Sequence, residues 1–355
     1  MPATGGSTGS AALDEESTST LTAIVDNFQS KEVVILGDAM VDYYIYTEAR
    51  KLSREAPVIV SDYISESVSA GGAAHLATVA KGLGAKVSLI GVVGHDTQGE
   101  SLLSRLESFG IDVSGVLSLT ARPTCVKQRI YVGRRQYFRI DREERRPIDE
   151  PTANELSENL RDRATNASIV VLSDHDKGSL TPSLISSTLR ICQALGKSVI
   201  GRPKVDHLFD FGGVNSLLSS VREASEATGI SVINDTSVRN IGFNILSRLE
   251  TPSVHLRDGS NSFLFEPNKV GYFPTPGAFS VSEKVGLRDL IAASYALACA
   301  CSASPVEASL IAKAAEGIGG TSTANGRDTG YPEELKANLA KMSSERYAYK
   351  IVQAR

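Results

Sequence analysis

The sequence predicts an α/β fold: a doubly wound, mainly parallel sheet with a small β lid. Short apolar runs alternate with stretches of helical periodicity, the pattern of strands joined by helical crossovers. Helical stretches close on glycine, as at Gly84 and Gly110. Two segments break the rhythm and alternate side chain by side chain, the period of antiparallel β structure.

Residues 1–20 are rich in Ser, Thr, Gly and Ala without periodicity and are expected to be a disordered tail, with the folded domain over 21–345. Leu21 to Phe28 has helical spacing. Val33-Val34-Ile35-Leu36-Gly37 reads as a buried parallel strand. Ala73 to Leu83 and Thr97 to Phe109 are helical, with a strand at Val87 to Val92 between them. Further strands are expected at 168–172, 198–200, 231–233 and 253–256. The lid segments cover about 43–64 and 122–141. In the second, Val126, Gln128, Ile130 and Val132 alternate with Lys127, Arg129 and Tyr131, and Gly133-Arg134 supplies a turn. Both segments fall near the ends of parallel strands, where α/β proteins bind ligands. Helices at Leu290 to Cys301 and Glu333 to Met342 complete the chain.

The 355 residues allow one large domain or two small ones. A net charge of −4 argues against a nucleic-acid or anionic-membrane partner. No apolar run reaches the length of a membrane span, and no basic segment leads into an apolar signal region. The four cysteines lack metal-ligand spacing, so a reducing cytoplasm is expected.

Four motifs occur in order: Gly37-Asp38-Ala39-Met40-Val41-Asp42, Ser53-Arg54-Glu55-Ala56-Pro57-Val58, Gly71-Gly72-Ala73-Ala74 and Leu172-Ser173-Asp174-His175-Asp176-Lys177-Gly178. An Asp after a strand can accept bonds from two neighbouring sugar hydroxyls, although a turn or cap role is the commoner use of any one such residue. Gly71 and Gly72 before a helix let backbone N–H groups meet a ligand without Cβ obstruction. Lys127 and Arg129 share one face of a strand, and Arg139 and Asp141 repeat the spacing on its partner, a pattern that suits a phosphate monoester or a solvated face. Together the motifs resemble the PfkB/ribokinase family over about residues 21–340, and within it the D-glycero-β-D-manno-heptose 7-phosphate kinases. The resemblance implies a ribokinase-like fold, ATP and Mg²⁺, a sugar-phosphate substrate, and a homodimer paired through lid strands. It places Asp38, Asp42, Gly71, Gly72, His75, Lys127, Arg129, Arg139, Asp174 and Lys177 around the sugar phosphate. His75 stands where the family usually has Asn.

The catalytic signature of this family, D-[TV]-T-G-A-G-D, corresponds to Glu283-Lys284-Val285-Gly286-Leu287-Arg288-Asp289. By resemblance Asp289 is the base that takes the sugar hydroxyl proton, and Gly286 opens the anion hole. Glu223 and Glu283 would serve Mg²⁺. The nucleotide side departs further from the family. Arg202-Pro203-Lys204 replaces Asp-Pro-Lys, Ser220-Val221-Arg222-Glu223 replaces N-x-x-E, and Lys313 stands where Asn often lines the adenine pocket. Lys204, Ser220, Glu223, Arg257, Gly259 and Lys313 are the implied nucleotide residues.

Arg288 replaces a Gly and admits three readings. It points away, it fills the space where phosphate approaches the backbone, or it supplies charge to the phosphate in transfer. Two functions follow for the whole chain: an ATP-dependent heptose 7-phosphate kinase-like enzyme, or a pseudokinase that binds a sugar phosphate as sensor, scaffold or partner subunit. A kinase for another small metabolite is a third.

Overall fold

The computed structural model describes residues 9–277, 286–318 and 331–354. Strand β1 (Gly9–Ala12) and helix α1 (Glu15–Asp26) come first. The expected tail is thus ordered from Gly9, because Asp14 caps α1 by accepting the Ser17 N–H and two glutamates follow in the first turn. Next come β2 (Glu32–Gly37), β3 (Ala39–Leu52), β4 (Ile59–Gly72), α2 (Ala73–Gly82), β5 (Lys86–Gly94), α3 (Thr97–Ser108), β6 (Asp112–Leu119), β7 (Cys125–Val132) and β8 (Arg135–Arg142). The second half runs α4 (Glu150–Ala164), β9 (Ile169–Ser173), α5 (Pro182–Ala194), β10 (Val199–Arg202), β11 (Ser216–Ser220), α6 (Val221–Thr228), α7 (Asp235–Leu249) and β12 (Val254–Asp258). It ends with β13 (Asn261–Glu266), β14 (Lys269–Phe273), α8 (Leu287–Ala300), α9 (Pro305–Ala315), α10 (Tyr331–Ser344) and β15 (Ala348–Gln353).

The main sheet has the order β1-β15-β14-β13-β12-β11-β10-β9-β2-β5-β6. From β12 to β6 all neighbours are parallel, and from β12 to β1 all are antiparallel. Side chains alternate between two cores. Val33 and Ile35 join α1, α2, α8 and α9 on one face, while Val34 and Leu36 join α4, α5 and α7 on the other.

One expected strand is absent. Residues 231–233 form a loop, with Ile233 83% exposed and Val232 45% exposed, while Leu217 in the neighbouring β11 is fully buried. Two branched side chains were the only strand signal at 231–233, and no sheet partner meets them there.

The lid is a second sheet, order β4-β3-β7-β8. It grows straight out of β2, with only Asp38 between β2 and β3. It is longer than expected, so Asp42 lies within β3 rather than in a loop. The Gly133-Arg134 turn forms as expected, with Gly133 at φ 59°.

Candidate functional site

Parallel register sets Gly37, Ser173 and Arg202 side by side at the carboxyl edge of the sheet, and Ser220 beside Arg257. Ligands of open α/β sheets bind along this edge. Two carboxylates there hold loops. Asp38 is buried and accepts N–H bonds from His175 (2.8 Å), Lys177 (3.2 Å) and Ser179 (3.0 Å). Both oxygens thus hold the loop after β9, a role beside the one expected for Asp38 at the sugar. Asp174 is likewise turned inward. It accepts from the Asp176 N–H (2.8 Å), the Lys204 N–H (2.9 Å) and His207 Nδ1 (3.0 Å). Burial would raise the Asp174 carboxyl, but His207 and the two N–H donors hold it below the usual range.

The sugar side gathers under the lid. Asp42 on β3 bonds Arg129 on β7, and the Arg129 guanidinium lies over the Tyr44 ring, 5.3 Å from its centroid. Asp42 sits against Gly71, where a Cβ would come within 2.9 Å of its Oδ2. Gly72 has φ 58° and is the N-cap of α2; a Cβ there would meet the Asp38 carbonyl at 2.4 Å. Lys127, Arg139 and Lys177 line an open cleft with Arg145 and Lys204, together with Asp141, Asp176, Asp206 and Glu226. Lys127 lies 3.4 Å from Asp141 and 3.5 Å from Glu143, and Lys177 lies 3.1 Å from Glu143. Arg139 reaches Asp141 at 3.0 Å. Glu143 was not among the expected residues. It continues the i, i+2 spacing of Arg139 and Asp141, which is the signal that marks it. Burial would raise Glu143, but Arg145, Lys177 and Lys127 hold it at about 2, so it is ionised.

Asp289 occupies the first turn of α8, directly after Gly286, whose φ of 86° suits glycine. Its carboxylate is held from two sides: Arg202 Nη2 at 2.7 Å on one oxygen and His75 Nδ1 at 2.6 Å on the other. His75, expected beside the sugar, thus braces the catalytic position from α2. Burial would raise the Asp289 pKa, yet Arg202 and His75 drive it far below the ordinary carboxylate range. Glu283 lies outside the described residues.

On the nucleotide side a cavity of about 120 Å³ opens between the ends of β9 to β12 and α8. Arg202, Lys204, Glu223, Arg257, Gly259 and Arg288 line it. Lys204 Nζ lies 2.6 Å from Glu223, which also completes a capping box with Ser220 at the start of α6. Burial would raise Glu223, but Lys204 and Ser220 lower it, and the charge of Arg288 adds to them. Arg288 therefore faces this cavity, against the reading in which it points away. Arg257 pairs with Glu316 at 3.2 Å. Lys313 is buried behind the cavity, bonded to Glu316, the Ser260 carbonyl and Ser262, and burial pushes it down to about 8. These contacts tie the end of α9 to the β12–β13 turn and to β13.

The model of the pfkB family carbohydrate kinases matches residues 30–232. The chain belongs to this family. The "Bifunctional protein HldE" of Caulobacter vibrioides is 35% identical over 294 residues, 82% of this chain and 60% of that protein. The protein of the same name from Geobacter metallireducens is 32% identical over 297 residues, again 82% and 60%. The chain thus spans about 60% of the length of these curated relatives. The tetrameric inhibited form of phosphofructokinase-2 from Escherichia coli shares the fold with a TM-score of 0.71 at 18% identity, covering 88% of this chain and 99% of that one.

PfkB kinases use ATP, typically with Mg²⁺, and the residues here can be tested for that fit. Among the described residues, Glu223 and Asp174 line the cavity as carboxylates, and Lys204 already pairs with Glu223. Asp174 spends its oxygens on N–H donors and His207. Among the described residues no cluster of three metal-binding side chains occurs. Arg202, Lys204, Arg257 and Arg288 line the cavity, and the first three pair with Asp289, Glu223 and Glu316. Among the described residues, Glu223 and Asp174 are both committed to protein partners rather than to a magnesium-bound triphosphate. The Arg202–Asp289 pair was not foreseen, since 87 residues separate its members.

Proposed function

We propose that this PfkB member binds a sugar phosphate under its lid and that transfer from MgATP is impaired. The observation that carries the reading is the Asp289 carboxylate held between Arg202 and His75 at 2.7 and 2.6 Å. A general base works best with a pKa near the operating pH, and both partners stabilise the charged, weakly basic form. The Lys127, Lys177 and Arg139 cleft supports phosphate as the recognised group. Heptose 7-phosphate is the ligand to test first, on the strength of the resemblance to heptose-phosphate kinases. A sensor, scaffold or partner-subunit role belongs to this reading.

A working kinase is the second reading, favoured by Gly286 and Asp289 standing in sequence at the start of α8. Calorimetry separates the two. Heat from heptose 7-phosphate with none from MgATP supports the impaired reading. Turnover of that sugar at about 1–100 s⁻¹, ordinary for kinases, would overturn it.

Self-association through the lid is part of the same proposal, supported by Tyr63 and Ile64 on β4 and Phe138 and Ile140 on β8, all exposed. A reducing, cytoplasmic setting is consistent with four unpaired thiols. No described helix is long and apolar enough to cross a membrane.

A further inference from the structure

The Arg202 guanidinium has a second partner besides Asp289. Its Nη1 donates to the Ser173 hydroxyl at 3.3 Å, while Nη2 holds Asp289 at 2.7 Å. Ser173 and Arg202 stand level on the neighbouring parallel strands β9 and β10, and Ser173 is fully buried. On its other side the Ser173 oxygen lies 3.2 Å from His175 Nε2. A guanidinium only donates, and a serine hydroxyl carries one hydrogen. Ser173 therefore accepts from Arg202 and gives its own hydrogen to His175, which makes Nε2 the acceptor and puts the imidazole hydrogen on Nδ1. Desolvation favours the neutral ring, and Arg202 and Lys204 add to it against the pull of Asp289 and Asp38. The result is a directed chain from Arg202 through Ser173 to His175, in which each bond polarises the next.

The loop that carries His175 is fixed at its backbone. Asp38 accepts the N–H groups of His175, Lys177 and Ser179, and Arg122 donates to the Lys177 carbonyl at 2.9 Å. Between them Asp176 has φ 55°, in the left-handed region that few side chains adopt, and its N–H bonds Asp174 at 2.8 Å. Strained backbone of this kind persists only where the surroundings over-determine it, and it gathers at functional sites. Here it sets His175 on the wall shared by the cavity beside Asp289 and the cleft under the lid.

We infer that His175 is a positioning residue for Asp289: as the acceptor at the end of this chain it fixes the Ser173 hydroxyl, and Ser173 aims Arg202 at the carboxylate. The inference rests on the reading in which Arg202 keeps Asp289 a weak base, and it names what sets that arginine's direction. Asp289 takes one Nη of Arg202. The Ser173 bond to the other Nη supplies the second point that fixes the plane of the guanidinium.

Nitrogen NMR of the full chain, isotope-labelled at arginine and histidine, reads this chain of bonds without turnover. The Arg202 and His175 signals are assigned by their loss in Arg202→Lys and His175→Gln. Near neutral pH the His175 ring should be uncharged with its hydrogen on Nδ1. Ser173→Ala should speed exchange of the Arg202 guanidinium hydrogens with water about tenfold or more, the usual effect of losing a hydrogen bond to a charged group. His175→Phe should speed it in the same direction. His175→Gln, whose Oε1 accepts the same hydrogen, should keep the wild-type rate, whereas a space-filling role would favour Phe over Gln. A His175 ring charged or protonated on Nε2, a Phe variant that exchanges like the wild type, or a Gln variant that exchanges like Phe overturns the inference. Should His175→Phe fail to fold, Ser173→Ala, which removes one oxygen, carries the same test. Phosphotransfer from MgATP, measured on the same variants, tests the weak-base reading separately. Faster Arg202 exchange with no gain in turnover would sink that reading and leave the positioning role standing.

Discussion

Arg202 pairs with Asp289 from β10, while the charge of Arg288 bears on Glu223 from α8, so under the impaired-kinase proposal the two arginines act on different parts of the chemistry. Arg288→Gly alone should raise phosphotransfer only a few-fold, because Asp289 stays pinned. Arg202→Asp removes the guanidinium and sets a like charge beside Asp289, which raises its pKa toward useful basicity. The double variant should gain about tenfold or more in a coupled ATP assay, within the range of a restored general base. Full recovery from Arg288→Gly alone would place the whole defect at the helix N-terminus. Asp38→Asn offers a different test. Ser179 bonds one Asp38 oxygen while His175 and Lys177 bond the other, and Asn has a single acceptor oxygen. Urea unfolding should show a loss of about 1–3 kcal/mol, the penalty for buried N–H groups left unmatched. Unchanged stability would remove Asp38 from the account of what holds the loop after β9.

Among the elements, the loops after β9 and β10 are joined by Asp174 and His207. The hydrogen bond to Asp174 outweighs burial and raises His207 to about 9. An unfolded histidine titrates near 6.5. The folded form therefore keeps a proton that the unfolded form releases, and this stabilisation is complete below about pH 6.5 and lost as pH rises through about 9. His207→Gln should flatten the fall in melting temperature between neutral pH and pH 9, while an unaltered profile would remove the pair from the account. How much of each element the sequence reveals depends on its burial. Val33 to Leu36 declared themselves because both faces of β2 are covered, which makes a continuous apolar run. Strands β13 to β15 were hidden, since their pairings are antiparallel and their polar positions break the apolar signal. At 231–233 the same branched residues that suggest a strand lie in solvent.

At the scale of the whole molecule, the ordered motifs made the family readable, because their spacing survives in the parallel strand ends. The ion pairs across the site were not readable, because they depend on which strands become neighbours. Arg202 meets Asp289 only through the crossover topology of the sheet. The lid carries the remaining prediction at this scale. Phe138 is 63% exposed and Ile64 58% exposed on opposite edge strands of the lid. The joint substitutions Phe138→Glu and Ile64→Glu should convert a dimer to a monomer in light scattering without lowering the melting temperature of the fold. A wild-type chain already monomeric at high concentration would discard the lid interface.

The pairing of β1 with β15 has a mechanical meaning. Gly9 lies opposite Ile351 and Ala12 opposite Ala348, so the two strands run antiparallel with their outer ends together. Tension applied between those ends loads the ladder one bond at a time, like a zipper, instead of shearing all its bonds at once. In an optical trap the first event should be a low-force release of β1 alone, ahead of any rupture of the parallel sheet.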